Sequence, residues 1–215
     1  MPSESTWRDF IRITSAEPPW PRLVRAAEMF ENPGDALDVG PGGGRDTRYL
    51  LLQGWRVTAV DASPSAAAAL RRLPRQRNLQ VVVSAIEDFD PARYDLVNAQ
   101  FSLPFVAPAH FGATLKSLRD SVETGGVLTA TFFGKHDEWN VAGTELTFNT
   151  AAEIERMFLG WELIELSEVD EDGHTADGAP KHWNIFHLIA RRRSQTDSDD
   201  GAGKPSYPAS PRAKA

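Results

Sequence analysis

The chain has 215 residues, is 41% hydrophobic and 25% charged, and carries a formal net charge of −7, which suits one ordinary domain with short extensions and a buried core. No apolar run approaches the ~20 residues that span a bilayer, the opening MPSESTWRDF lacks an apolar signal stretch, and the absence of cysteine leaves no disulfide framework; the expected compartment is the cytoplasm. Basic residues gather in the last 25 positions, so the body is acidic and lacks the basic footprint that nucleic acid requires.

In chain order, residues 20–30 set Leu23, Ala26, Ala27 and Phe30 at helical spacing before Asn32-Pro33-Gly34 turns the chain. Ala36 to Val39 reads as a strand running into Gly40-Pro41-Gly42-Gly43-Gly44, and Arg45 to Gln53 as a helix closed by Gly54. Arg56 to Val60 is a strand ending at Asp61, after which Ser63 as N-cap and Pro64 in the first turn open an alanine-rich helix. Leu79 to Ser84 and Tyr94 to Gln100 are further strands, Phe111 to Val122 is a helix, and Val127 to Phe133 is a strand entered through the turn Gly125-Gly126. Thr150 with Glu153 makes a capping box for the helix AAEIERMF, which ends at Gly160.

This alternation predicts an α/β fold with a mostly parallel sheet covered by helices on both faces. Trp161 to Val169 and His182 to Ala190 are strand-like, and the residues between them show no helical pattern. Glu171-Asp172-Gly173 and Asp177-Gly178 are turn chemistry, so a hairpin is expected and the last strand should run antiparallel. Residues 1–19 read as an N-terminal extension or cap, 20–191 as the domain, and 192–215, rich in Ser, Pro, Gly and Asp, as a disordered tail.

The chemistry begins at Asp38-x-Gly40-x-Gly42-x-Gly44, followed by Asp61 at the end of the next strand. Glycines let backbone approach a ligand closely, and an acid about 20 residues on can accept hydrogen bonds from ribose hydroxyls. The dinucleotide fingerprint fails in both registers, because Arg45 or Thr47 stands where the third glycine belongs, and no Gly-Lys-Ser/Thr follows for a Walker loop. Asp38 is unfavourable beside a pyrophosphate and favourable beside a cofactor carrying an ammonium and a sulfonium.

The stretch ALDVGPGGGRDTRYLLLQGWRVTAVD resembles the first motif and ribose acid of class I S-adenosylmethionine (SAM)-dependent methyltransferases. The resemblance covers roughly residues 20–190 and implies a Rossmann-like seven-stranded sheet, mostly parallel, with an antiparallel last strand. The Gly-Arg-Asp after the loop and the segment FNTAAEIERMFLGWELIE are similar to the tellurite-resistance group of small-molecule methyltransferases.

Carried over by position, the resemblance implies that Asp38, Gly40, Gly42 and Gly44 line the methionine end of SAM, that Asp61 holds the ribose and that Ala62 borders the adenine. The acid that usually closes the third strand falls at Ala85, a departure that leaves the adenine to Ile86, or to Glu87 or Asp88 after a small shift. Gln100 then faces the cofactor and Phe101 the acceptor. A small-molecule methyl acceptor is implied as partner, with no nucleic acid and no membrane.

Phe132 to Trp139 follows the fifth strand on the carboxyl edge, where open α/β sheets bind ligands. Phe133 and Trp139 are candidate acceptor-wall residues, and His136 could take a proton, oriented by Asp137 or Glu138. No metal-ligand spacing occurs. Trp7, Phe10, Trp20 and Phe30 either cap the site or pack on the sheet, and His182 and His187 are expected to pack on the last strand. Two other readings stay open: a module that binds the cofactor without chemistry, and a nucleotide-dependent oxidoreductase, disfavoured by Arg45 and the terminal hairpin.

Overall fold

The computed structural model describes residues 4–194, of which Glu4 is placed in backbone only. Its seven strands are β1 Asp35–Val39, β2 Arg56–Asp61, β3 Leu79–Val83, β4 Tyr94–Ala99, β5 Val122–Phe133, β6 Trp161–His174 and β7 Pro180–Arg192. They form one sheet in the order β3-β2-β1-β4-β5-β7-β6. The first five are parallel, and β7 runs antiparallel to both β5 and β6. The switch in strand order beside β1 puts the carboxyl ends of β1 and β4 next to each other, where such sheets open a crevice for ligands.

Six helices accompany the sheet: α1 Glu4–Thr14, α2 Pro21–Ala27, α3 Arg45–Gln53, α4 Pro64–Leu70, α5 Pro108–Ser121 and α6 Ala151–Met157. Strand side chains alternate between two cores, as the period of two requires. On one face Leu23 of α2, Leu50 and Leu51 of α3 and Leu70 of α4 close over Ala36, Val57, Ala59, Leu96 and Ile189. On the other, Phe111, Leu115 and Leu118 of α5 and Ile154 of α6 close over Leu37, Val97, Leu128, Phe132 and Leu188. A third, smaller cluster lies around Phe133, Phe148 and Ile185. Among the described residues, no helix is long and apolar enough to cross a membrane.

Several boundaries differ from the sequence reading. The first expected helix stops at Ala27, and Phe30 lies beyond it with its ring edge-on to Trp55. β5 starts at Val122 because Gly125-Gly126 forms a bulge inside the strand: pairing jumps from Tyr94↔Val122 to Leu96↔Val127. A Cβ at Gly126 would stand 2.7 Å from the Asp95 carbonyl oxygen, so only glycine fits there.

Glu171-Asp172-Gly173 does not turn. It continues β6 opposite Trp183, His182 and Lys181, and the reversal falls at residues 175–179. Asp172 lies 2.7 Å from His182 Nδ1 across the strands, a pairing that a single-strand reading of turn residues does not contain. The expected tail lies outside the described residues from 195 onward, and its first described residue, Arg192, still belongs to β7.

Candidate active site

The glycine loop between β1 and α3 is left-handed at alternate positions, with φ of +64° at Gly40, +54° at Gly42 and +81° at Gly44. It is also enclosed. A Cβ on Gly40 would stand 2.7 Å from the Ser102 side chain, and one on Gly43 2.8 Å from Ser15 and 2.9 Å from the Ile11 carbonyl oxygen. The N-terminal segment therefore lies directly against the loop, tied there by Arg48, which donates to the carbonyls of Ser15 and Glu17 at 3.0 and 2.9 Å.

Asp61 ends β2 beside this loop. Its carboxylate accepts from the Gly42 amide at 3.1 Å and from the Ser63 amide at 2.8 Å. The loop and the acid that sequence spacing brackets together are thus joined directly. Ala62 follows, exposed, and Ile86 begins a short turn after β3 with its side chain packed toward the α5 core. Glu87 and Asp88 are exposed.

A buried polar group lies underneath. Asp38 accepts from Thr47 Oγ1 at 2.5 Å and from Asn98 Nδ2 at 2.8 Å, and the same amide nitrogen donates to Asp46 at 3.0 Å. Asp46 in turn accepts from the Trp20 backbone amide at 2.9 Å. Burial, reinforced by the charge of Asp46, raises the Asp38 pKa to about 7. Burial likewise raises that of Asp46. Asn98 Oδ1 is buried without a hydrogen-bond partner.

Next to Asp46, with which it interacts electrostatically, the Arg45 guanidinium stacks over Trp20 at 4.0 Å, and its Nε has no hydrogen-bond partner. Buried acids beside a guanidinium whose Nε has no hydrogen-bond partner fit a zwitterion, whose ammonium and sulfonium would meet the acids and whose carboxylate would meet Arg45. Neither Asp46, Asn98 nor Arg45 was singled out as a site residue from the sequence, although the Arg45-Asp46 pair directly behind the loop was the available signal.

At the end of β4, Gln100 is buried, with Nε2 donating to Thr129 Oγ1 at 2.8 Å and Oε1 accepting from Thr131 Oγ1 at 2.7 Å. Its side chain is thus held against β5. Phe101 adopts φ +51°, strained for a bulky residue, and its ring lies 4.7 Å from Trp20 and 6.3 Å from His187. Trp7 of α1 meets Phe105 at 5.3 Å, so the N-terminal helix reaches over this edge.

The rings of Phe133 and Trp139 lie 5.7 Å apart. The residues between them do not arrange as expected. His136 points to Asp170 of β6, 2.9 Å away, with its side chain 72% exposed. Asp137 is instead buried, accepting from Lys181 Nζ at 2.5 Å and from the Asn184 amide at 3.2 Å, and Glu138 accepts from the His182 amide at 2.8 Å. These two acids lace the loop to β7 and leave the His136 ring to another partner.

Comparisons with known proteins agree with this geometry. The family described as "Methyltransferase domain" matches residues 37–128, from within β1 to the middle of β5. The "Probable S-adenosyl-L-methionine-dependent methyltransferase TehB" of Haemophilus influenzae is 26% identical over 178 residues, covering 80% of this chain and 61% of that protein. The chain thus spans about three fifths of the length of that curated relative. The crystal structure of TehB from the same organism superposes with a TM-score of 0.73 at 20% identity, covering 87% of this chain and 67% of that one. A 1,6-didemethyltoxoflavin-N1-methyltransferase of Burkholderia thailandensis, bound to S-adenosylhomocysteine, superposes at 0.63 with 22% identity over 88% of this chain and 85% of that one. In its sheet order, in its glycine loop with the adjoining acid and in these likenesses, the chain is similar to class I SAM-dependent methyltransferases, TehB among them.

Proposed function

We propose that this protein binds SAM against the glycine loop and transfers its methyl group directly to a small-molecule acceptor at the carboxyl edge of β4 and β5. The observation that carries the reading is the buried pair Asp38 and Asp46, bridged by Asn98, with Arg45 next to Asp46. Asp61 would hold the ribose hydroxyls, exchanging its bond to the Gly42 amide for them. Ala62 and Ile86 would border the adenine without the usual acid, and Gln100 would border the methyl-bearing end.

SAM supplies a methyl group already activated on a sulfonium. What the chain adds is orientation, which can lower a barrier by about 7–11 kcal/mol, and exclusion of water by α1 and the aromatic edge. An acceptor that must lose a proton could give it to His136, whose ring is oriented by Asp170 2.9 Å from its Nδ1. Residues 20–191 would make up the catalytic domain, 1–19 its cap and 192–215 a tail, working in the cytoplasm.

Isothermal calorimetry tests the reading. Wild-type protein should bind SAM, and Asp61→Ala should abolish measurable binding while the fold persists by circular dichroism. Binding of NAD in preference to SAM, or no binding of SAM, would overturn it.

A further inference from the structure

The two cores beneath the helices are closed, whereas the third cluster, at the carboxyl edge of β5 and β7, is aromatic and half open. Phe133 is its buried centre, with ring centroids 5.9 Å from Phe105, 5.7 Å from Trp139 and 6.2 Å from Trp183. Trp183 also lies 5.5 Å from Trp139 and 6.2 Å from Phe101. Phe101, Phe105, Trp139 and Trp183 are each only partly buried. Phe101, in its left-handed conformation, connects this platform to Trp20 and hence to Arg45 beside the glycine loop.

The platform already contains a cation. The Lys181 ammonium stands 3.7 Å from the Trp183 ring centroid, 4.4 Å from Trp139 and 5.7 Å from Phe133. Its side chain is buried, and it donates to Asp137 at 2.5 Å and to the His182 carbonyl at 3.1 Å. Two consequences follow from elementary electrostatics. The negative ring faces that would attract a cationic acceptor are engaged from inside by Lys181. An anionic acceptor finds that ammonium neutralised by Asp137, and Arg22, on the α2 side, is likewise held by Glu165 at 3.0 Å. The amide of Gln100 is taken up by Thr129 and Thr131. What the edge offers a ligand is ring surface, polarised by the cation behind it, which favours stacking with a neutral, electron-rich ring.

Resting on the methyl-transfer reading above, we infer that the acceptor is an uncharged planar aromatic molecule, methylated at a heteroatom attached to its ring, and that Trp139 and Trp183 select it. In the transfer a lone pair of that heteroatom bonds to the methyl carbon while the carbon–sulfur bond breaks toward sulfur. The donor leaves as the neutral thioether, and the heteroatom's proton passes to His136 and from its exposed ring to solvent.

The test uses the full chain, methyl-labelled SAM and three sets of acceptors: 1-naphthol and 2-naphthol; cyclohexanethiol; and the oxyanions selenite and tellurite. Labelled product should form from the naphthalene set. Trp139→Leu and Trp183→Leu should each raise KM for 2-naphthol about tenfold, the scale of one lost stacking partner and its buried area, while SAM affinity by calorimetry stays unchanged and Trp183→Phe retains a KM near that of the wild type. Product from the oxyanions alone, equal turnover of cyclohexanethiol, unchanged KM in both leucine variants, or no product from the naphthalene set while SAM still binds would each overturn the aromatic assignment. Failure of the wild-type protein to bind SAM would instead remove the methyl-transfer reading beneath it.

Discussion

Asp38 is held near the midpoint of its titration at neutral pH, and this has a direct effect on cofactor binding. Burial disfavours its charge most, Asp46 adds repulsion, and the bonds from Thr47 and Asn98 pull the other way, leaving the pKa at about 7. An ionised Asp38 attracts the SAM ammonium more strongly than a protonated one. The SAM Kd should therefore tighten as pH rises from 5.5 to 7.5, by about tenfold or 1.4 kcal/mol, whereas Asp38→Asn should bind weakly with little of that dependence. Calorimetry at both pH values decides; a wild-type Kd that stays flat would place the ammonium away from Asp38.

Single residues were legible from sequence where spacing alone defines them. Asp61 and the alternate glycines of the loop stand at fixed offsets along βαβ, and their side chains and amides meet as that pattern requires. Asn98 reaches Asp38 and Asp46 across 60 and 52 positions. No local pattern marks a buried amide bridging two acids. The same holds for Lys181 and Asp137: sequence offers Asp137 only as a partner for its neighbour His136, whereas the loop folds back onto β7 and buries it against Lys181.

At the scale of elements, caps and alternation carried the most information. Ser63 accepts from the amides of Ser65 and Ala66, and Thr150 and Glu153 bond reciprocally, as the sequence signatures indicate. What misled was turn composition: Glu171, Asp172 and Gly173 stay extended because β7 pairs with them and Trp183 lies over Gly173. α6 has only seven residues and depends on its cap. Thr150→Ala leaves the Glu153 amide without its acceptor and should cost about 1 kcal/mol, lowering Tm by about 2–4 °C in scanning calorimetry. Thr150→Ser, which keeps the hydroxyl, should recover most of that loss, and equal Tm for all three proteins would show that the box adds nothing.

At the scale of the whole molecule, two buried groups on different strands oppose each other in the pH dependence of stability. His187 of β7 has its pKa lowered from 6.5 to about 4, by burial first and then by Arg22 of α2, against a raising influence from Glu165 of β6. Between those values the unfolded chain holds a proton that the folded chain does not, so this group makes stability rise with pH. Asp38 is raised from 3.8 to about 7, so between those values the folded chain holds the extra proton and stability falls as pH rises. Asp46, also raised, acts in the same direction as Asp38. In the window from pH 5 to 6 the acids and the imidazole work against each other, each titration contributing roughly 1 kcal/mol per pH unit. Urea unfolding across that window should separate them. Relative to wild type, His187→Gln should shift the slope of stability with pH downward by about that amount, and Asp38→Asn should shift it upward. Slopes that match wild type in both variants would mean that neither group changes its proton affinity when the sheet closes over it.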